Sequence, residues 1–259
     1  MGNLTLAPPY TEFGPAFALT EEQTFSETFV LHALKIYGQL TGSKPDTVAD
    51  VACGAGTACR LFAESARTVY GIDISQQMLN LSERAQRPGG CPVQFRQMDM
   101  QCFTVPTSVK LLTCMYDSIN FMTTSAAMMS FMKCVYDALE LEGVFMFDMY
   151  TLRGLAMLWG VGAEIHTNTS DYFVATSSVH DKETQIATKS FFGFTRVGAS
   201  WRKWQEKHTL RAYSVDLMTE YLRGAGLELL SVWKWNLDAS LSRFDDDAYR
   251  AFFVVRKAS

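Results

Sequence analysis

Val48-Ala49-Asp50-Val51-Ala52-Cys53-Gly54-Ala55-Gly56-Thr57 reads as a short buried strand that runs into a tight small-residue turn and then a helix. Val48, Ala49, Val51 and Ala52 suit a strand covered on both faces of a parallel sheet, where polar/apolar alternation disappears. Gly54 and Gly56 permit positive backbone dihedrals and the close approach of another molecule. Thr57 is the expected cap of a helix through Ala58–Ala66. Bare backbone delivered to a helix N-terminus is a ligand-binding device, although many such turns bind nothing.

The spacing downstream adds weight. Thr68–Asp73 reads as a second strand ending in an acid, at the separation where an adenosine-binding α/β fold places its ribose carboxylate. A third apolar strand, Val93–Met98, ends in Asp99, and a fourth, Lys110–Met115, ends in Tyr116-Asp117. Strands that end in polar residues one after another suit a crevice at the carboxyl edge of a parallel sheet. The pattern is Ala52-x-Gly54-x-Gly56 without a third glycine, which argues against a dinucleotide fingerprint.

In order and spacing, Asp50–Gly56, then Gly71-Ile72-Asp73-Ile74-Ser75, then Asp99-Met100, resembles the class I S-adenosylmethionine-dependent methyltransferases over about residues 47–150. The resemblance implies an α/β, doubly wound, seven-stranded and mostly parallel sheet of Rossmann-like type. It implies S-adenosylmethionine as cofactor and S-adenosylhomocysteine as product. Ala52 stands where the family usually has its first glycine. By the resemblance Asp50, Ala52, Cys53 and Gly54 border the cofactor, Asp73 holds the ribose, Ile74 and Met78 lie along the adenine, and Asp99 with Met100 meets its amino edge. Asp99 could instead be a simple helix cap. Cys114 and Met115 would border the methionine part, with Asp117 and Asn120 turned to substrate and Tyr116 a candidate catalytic residue. Tyr10–Phe17 is similar to the family's N-terminal lid, whose aromatics, here Tyr10 and Phe17, close over the cofactor; they could also merely anchor a loose arm. Pro8-Pro9-Tyr10 is out of place for the N-P-P-Y signature of nucleic-acid amino-methyltransferases, which follows the fourth strand.

The rest of the chain sets bounds. Its 259 residues, 48% hydrophobic, can bury a large core, and a net charge of −4 gives no electrostatic case for nucleic acid or anionic membrane. No run is long enough to span a bilayer and no signal pattern opens the chain, so a cytoplasmic protein is expected. Six cysteines without C-x-x-C spacing read as reduced core residues, and no metal site is expected. Glu21–Leu40 is a helix candidate with Thr20 as N-cap and Phe25, Phe29, Leu31, Leu34, Ile36 and Leu40 facing the core; His32 reads as structural or exposed. Ser75–Arg87 is a helix capped by Ser75, Ser125–Leu139 an amphipathic helix, and Val144–Phe147 a fifth strand ending in Asp148.

Between Tyr150 and His208 the pattern changes to β: Tyr172–Val179 and Gln185–Phe194 about a turn at Asp181–Thr184, then Trp201–Leu210. Ser214 caps a last helix, and Leu227–Trp235 and Arg250–Arg256 are antiparallel strands. The expected division is 1–45 as lid arm and helix, 46–150 with 211–259 as cofactor core, and 151–210 as an inserted β lid over substrate. Trp204–Leu210 resembles a strand of small-molecule N-methyltransferases, including dTDP-aminosugar N,N-dimethyltransferases. That makes His208 a candidate for orienting substrate or accepting its proton, and Trp204 a candidate substrate contact; His208 could equally be a hydrogen-bonded lid residue. His166 and His180 are expected in solvated lid loops. The acceptor is a small metabolite attacked through nitrogen or oxygen, in natural-product biosynthesis as one setting, by a monomer or homodimer. The alternatives are C- or O-methylation of an aromatic product, favoured by Phe121, Trp159, Phe192, Trp201 and Trp204, and a silent cofactor-binding module.

Overall fold

The computed structural model describes residues 9–19, 22–85, 90–160 and 162–258 (without the side chains of Glu22 and Gln23). The chain runs α1 (Gly14–Phe17), α2 (Glu22–Thr41), β1 (Thr47–Val51), α3 (Thr57–Ala63), β2 (Thr68–Asp73), α4 (Gln76–Arg84), β3 (Val93–Gln97) and β4 (Val109–Cys114). A 3-10 turn at Ser118–Phe121 leads to α5 (Ser125–Ala138), β5 (Leu139–Tyr150) and α6 (Leu152–Leu158). Four strands follow: β6 (Ala163–Asn168), β7 (Tyr172–Asp181), β8 (Ile186–Val197) and β9 (Ser200–Arg211). The chain closes with α7 (Val215–Gly224), β10 (Leu227–Trp235), β11 (Leu241–Arg243) and β12 (Arg250–Lys257).

β1 to β5 are parallel, in the order β3-β2-β1-β4-β5, and β12, β10 and β11 extend that sheet antiparallel to their neighbours. The sheet has eight strands rather than seven. The extra one, β11, is a three-residue edge strand paired to the end of β10, too short to show a period in sequence. Val48, Leu111 and Val254 pack on α2 and α3, while Ala49, Leu112 and Val255 pack toward α5 and α7. Burial on both faces removes the alternation that marks half-exposed strands.

β6–β9 form a separate four-stranded antiparallel sheet. The sequence showed three of these strands; β6 and α6 went unread. His166 and His180 lie within β6 and β7, half-buried, not in solvated loops. On α2 the buried face runs through Phe29, Val30, Ala33 and Tyr37, a three- and four-residue spacing that turns Leu31 and Leu40 outward, against expectation. His32 bonds the Ala239 carbonyl at 2.9 Å, a structural role. The proposed cap Thr20 and the end of the Ser75–Arg87 helix lie outside the described residues. Ser75 and Ser214 cap α4 and α7 through Met78 N–H and Leu217 N–H. Thr57 is not a cap: α3 starts from Gly56 at φ 74°, and a Cβ there would come within 2.7 Å of the Phe95 ring. All six cysteines are free, with Cys102 exposed rather than in the core. Among the described residues no helix is long and apolar enough to cross a membrane.

Candidate active site

A cavity of about 250 Å³ opens at the carboxyl edge of the parallel strands. One wall is the turn after β1, where Ala52, Cys53 and Gly54 expose backbone. Ala52 sits at φ 58°, the left-handed region that L-residues enter at a cost of about 1 kcal/mol. This is the physical reason a glycine suits the position. Asp73 ends β2 at the same wall. Its Oδ2 accepts the Gly54 N–H at 2.8 Å and its Oδ1 accepts the Ser75 N–H at 2.8 Å. Burial pushes the Asp73 carboxyl above the ordinary range, against those backbone donors.

Ile74, Met78, Met98, Asp99 and Met100 continue the lining, with Gln101 beside them. Asp99 accepts the Gln101 N–H at 2.9 Å. The far end is ringed by Tyr10, Phe17, Met115, Tyr116, Phe121 and Met122, and Ser26 reaches it from α2. Burial, then the charge of Asp117, holds the Tyr10 phenol well above its ordinary value, so that it stays neutral. Paired hydroxyls suit Asp73, a flat apolar base suits Ile74, Met98 and Met100, and a cationic sulfur suits neutral ring faces. These donors and walls fit S-adenosylmethionine.

Behind Tyr116 lies a buried ionic cluster. Tyr116 and Asp117 both adopt positive φ, at 63° and 52°, and Asp148 at the end of β5 accepts both their N–H groups, at 2.6 and 3.0 Å. Arg250 of β12 bridges Asp148 and Asp117, the latter at 2.8 Å, beneath the Tyr150 ring. Burial raises the Asp117 carboxyl to about 7 despite Arg250. Strained backbone of this sort persists only where its surroundings over-determine it.

Eleven proposed cofactor contacts therefore line one cavity together with Tyr116: Tyr10, Phe17, Ala52, Cys53, Gly54, Asp73, Ile74, Met78, Asp99, Met100 and Met115. Six proposed site residues do not. Asp50 is buried and takes the Thr113 hydroxyl at 2.6 Å, bracing β1 to β4. Cys114 is sealed in the core, and Asp117 belongs to the Arg250 cluster. Asn120 is fully buried, bonding the Tyr150 backbone on both sides and the Arg211 carbonyl. Its amide staples the 3-10 turn to β5 and β9. Trp204 packs under the N-terminal arm and bonds Thr195 at 2.9 Å.

His208 corrects the reading most. It is 1% exposed, its Nε2 lies 2.5 Å from Glu206 Oε1 and 3.4 Å from the Tyr10 N–H nitrogen, and its ring packs on those of Tyr10 and Phe121 at 4.7 and 5.6 Å. Sequence reasoning missed Glu206, Arg250, Ser26 and Gln101. Glu206, two residues before His208 on a strand, shares its face, and that period was the available signal. Nothing local marks Arg250, which meets Asp117 only because β12 pairs with β5.

Residues 48–143 match the model of a family described as "Methyltransferase domain". The chain is 26% identical over 216 residues to "Putative methyltransferase YqeM" of Bacillus subtilis (strain 168), covering 82% of this chain and 84% of that protein. Its fold is similar to an S-adenosylmethionine-dependent methyltransferase of Clostridium acetobutylicum, at TM-score 0.79, 20% identity, and 96% and 97% coverage. It is also similar to the S-adenosylmethionine-bound CalS10 of Micromonospora echinaspora, an amino pentose methyltransferase, at TM-score 0.68, 18% identity, and 94% and 96% coverage. The fold is Rossmann-like, of the kind seen in these methyltransferases. Residues 48–143 are thus similar to a methyltransferase domain, and a relative matched over most of the chain is itself described as a putative methyltransferase.

Proposed function

We propose that this enzyme methylates a nitrogen, or less readily an oxygen, of a small metabolite, with an amino sugar as the first class to test. The observation that carries the reading is a cavity polar at Asp73 and Asp99 and ringed by neutral aromatics at the other end. The likeness to CalS10, an amino pentose methyltransferase, over nearly the whole chain supports an amine acceptor. Bound S-adenosylmethionine supplies a methyl on a cationic sulfur, which departs as a neutral thioether.

The chain's own contribution is position and dryness. Asp73 and Asp99 fix the nucleoside, and Met115 and Tyr116 face the methionine part. Tyr10, Phe17 and Phe121 exclude water from the reacting end. Tyr116 orients the acceptor, held in place by the Asp148 carboxylate behind it. An amine that binds neutral attacks through its lone pair and loses its proton afterwards, so no protein base is required. Within this reading, residues 46–150 and 211–259 are the cofactor core, 1–45 the arm and helix, and 151–210 the roof over the acceptor.

Of the five rings that favoured an aromatic acceptor, Phe121 lines the cavity, and three lie elsewhere. Phe192 and Trp201 are 41% and 50% exposed, and Trp204 lies under the arm. The test is S-adenosylhomocysteine release with panels of amino sugars, simple amines and phenols. Turnover is expected with amines and not phenols. Turnover confined to phenols sinks the proposal.

A further inference from the structure

One carboxylate joins the inserted sheet to the arm over the cofactor. Glu206 lies on the inner face of β9, 1% exposed. Its Oε1 accepts the Tyr10 N–H at 2.5 Å, and its Oε2 accepts the N–H groups of Glu12 and Phe13 at 2.7 and 3.1 Å. These three amides run along the backbone just before α1, a concave run of donors that fits one anion. Tyr10 itself is at φ 62°, a conformation that needs holding, and its carbonyl takes the Ser75 hydroxyl at 2.8 Å. On the outside, Arg202 of the same strand grips the Glu12 carboxylate at both oxygens, at 2.7 and 2.8 Å.

We propose that Glu206 is the positioning residue for the cofactor: it latches the arm so that Tyr10 and Phe17 wall the cavity, and cofactor exchange requires the latch to open. The inference rests on the assignment of the cavity to S-adenosylmethionine. A buried carboxylate that satisfies three amides makes charge-assisted bonds. Without it the Tyr10 N–H keeps only a long contact to His208 Nε2 at 3.4 Å, and the Glu12 and Phe13 amides lose their acceptor, so the arm lifts toward water. The main sheet carries no part of this contact, so its fold is indifferent to the change. The loss falls on cofactor retention.

The experiment follows release of S-adenosylhomocysteine by stopped flow, with calorimetric affinity alongside, for wild type, Glu206→Gln, Tyr10→Ala and the double variant. Glu206→Gln is expected to speed release by about tenfold and raise KM for S-adenosylmethionine, while kcat at saturation changes little. Tyr10→Ala added to Glu206→Gln costs little more, because both act through the same arm. A folded Glu206→Gln protein with wild-type release, or fully additive losses, overturns the proposal. Should Glu206→Gln fail to fold, the exposed Arg202→Ala variant replaces it, with release expected to be about twofold faster; an unchanged rate there overturns the latch. A wild-type protein that binds no S-adenosylhomocysteine removes the cofactor assignment instead, and the latch with it.

Discussion

The two sides of the cavity are built on opposite plans. On the parallel-sheet side Asp73 lies close in sequence to the backbone it touches, bonding Gly54 and Ser75 at separations of 19 and 2 residues. On the side of the insert, Glu206 reaches Tyr10, Glu12 and Phe13 across separations of 193 to 196 residues. Asp148 lies between these extremes, holding the Tyr116 turn 32 residues away and leaning on Arg250 from 102 residues further on. All three carboxylates do the same job, accepting backbone N–H groups to fix a segment against the ligand space. A wall held by short-range contacts re-forms with its own supersecondary unit; one held by long-range contacts depends on the whole molecule.

The sharpest way to break this comparison is Arg250→Ala. It leaves Asp117 and Asp148 buried together without a counter-charge, which should cost about 3–5 kcal/mol of stability. Urea unfolding measures it. A loss below about 1 kcal/mol would mean that the Tyr116 turn is held by something else. Next in size, Asp73→Ala should weaken S-adenosylhomocysteine binding by about a hundredfold, roughly 2.7 kcal/mol, and leave the melting temperature much less affected than Arg250→Ala does. Calorimetry that finds unchanged affinity would remove Asp73 from the site.

A third test concerns pH. Asp117 has its folded pKa raised to about 7, so between its unfolded value and about 7 the folded state holds the extra proton. That contribution is complete below the unfolded value and is lost as pH rises toward 7. Thermal melts from pH 4 to 8 should therefore show a shallower downward slope for Asp117→Asn than for wild type. Parallel slopes would separate Asp117 from the titration.

What could be read without the fold follows the same division. The Ala52–Gly56 turn, the strand-end acids Asp73 and Asp99, and the Ser75 cap are local statements, made by residues within one βαβ unit, and the cavity lining contains most of them. The errors lie where pairing partners are distant. His208 looked like a substrate contact because its strand could be recognised, yet what lay against that strand could not. Asn120 looked like a substrate contact for the same reason, and its amide is consumed by Tyr150 and Arg211. The insert's first strand escaped because Ala163–Asn168 is mostly exposed and carries little apolar alternation.

The sequence by itself determined the parallel core, its order of strand-end acids and the acid-lined end of the cavity, because strand burial and turn geometry act over a few residues. Only the tertiary structure decided that β9 faces the N-terminal arm, that β12 delivers Arg250 to two buried acids, and that an eighth strand closes the sheet edge. Those outcomes depend on which side chains meet across large chain separations. Packing chooses such meetings globally, and no local pattern encodes them.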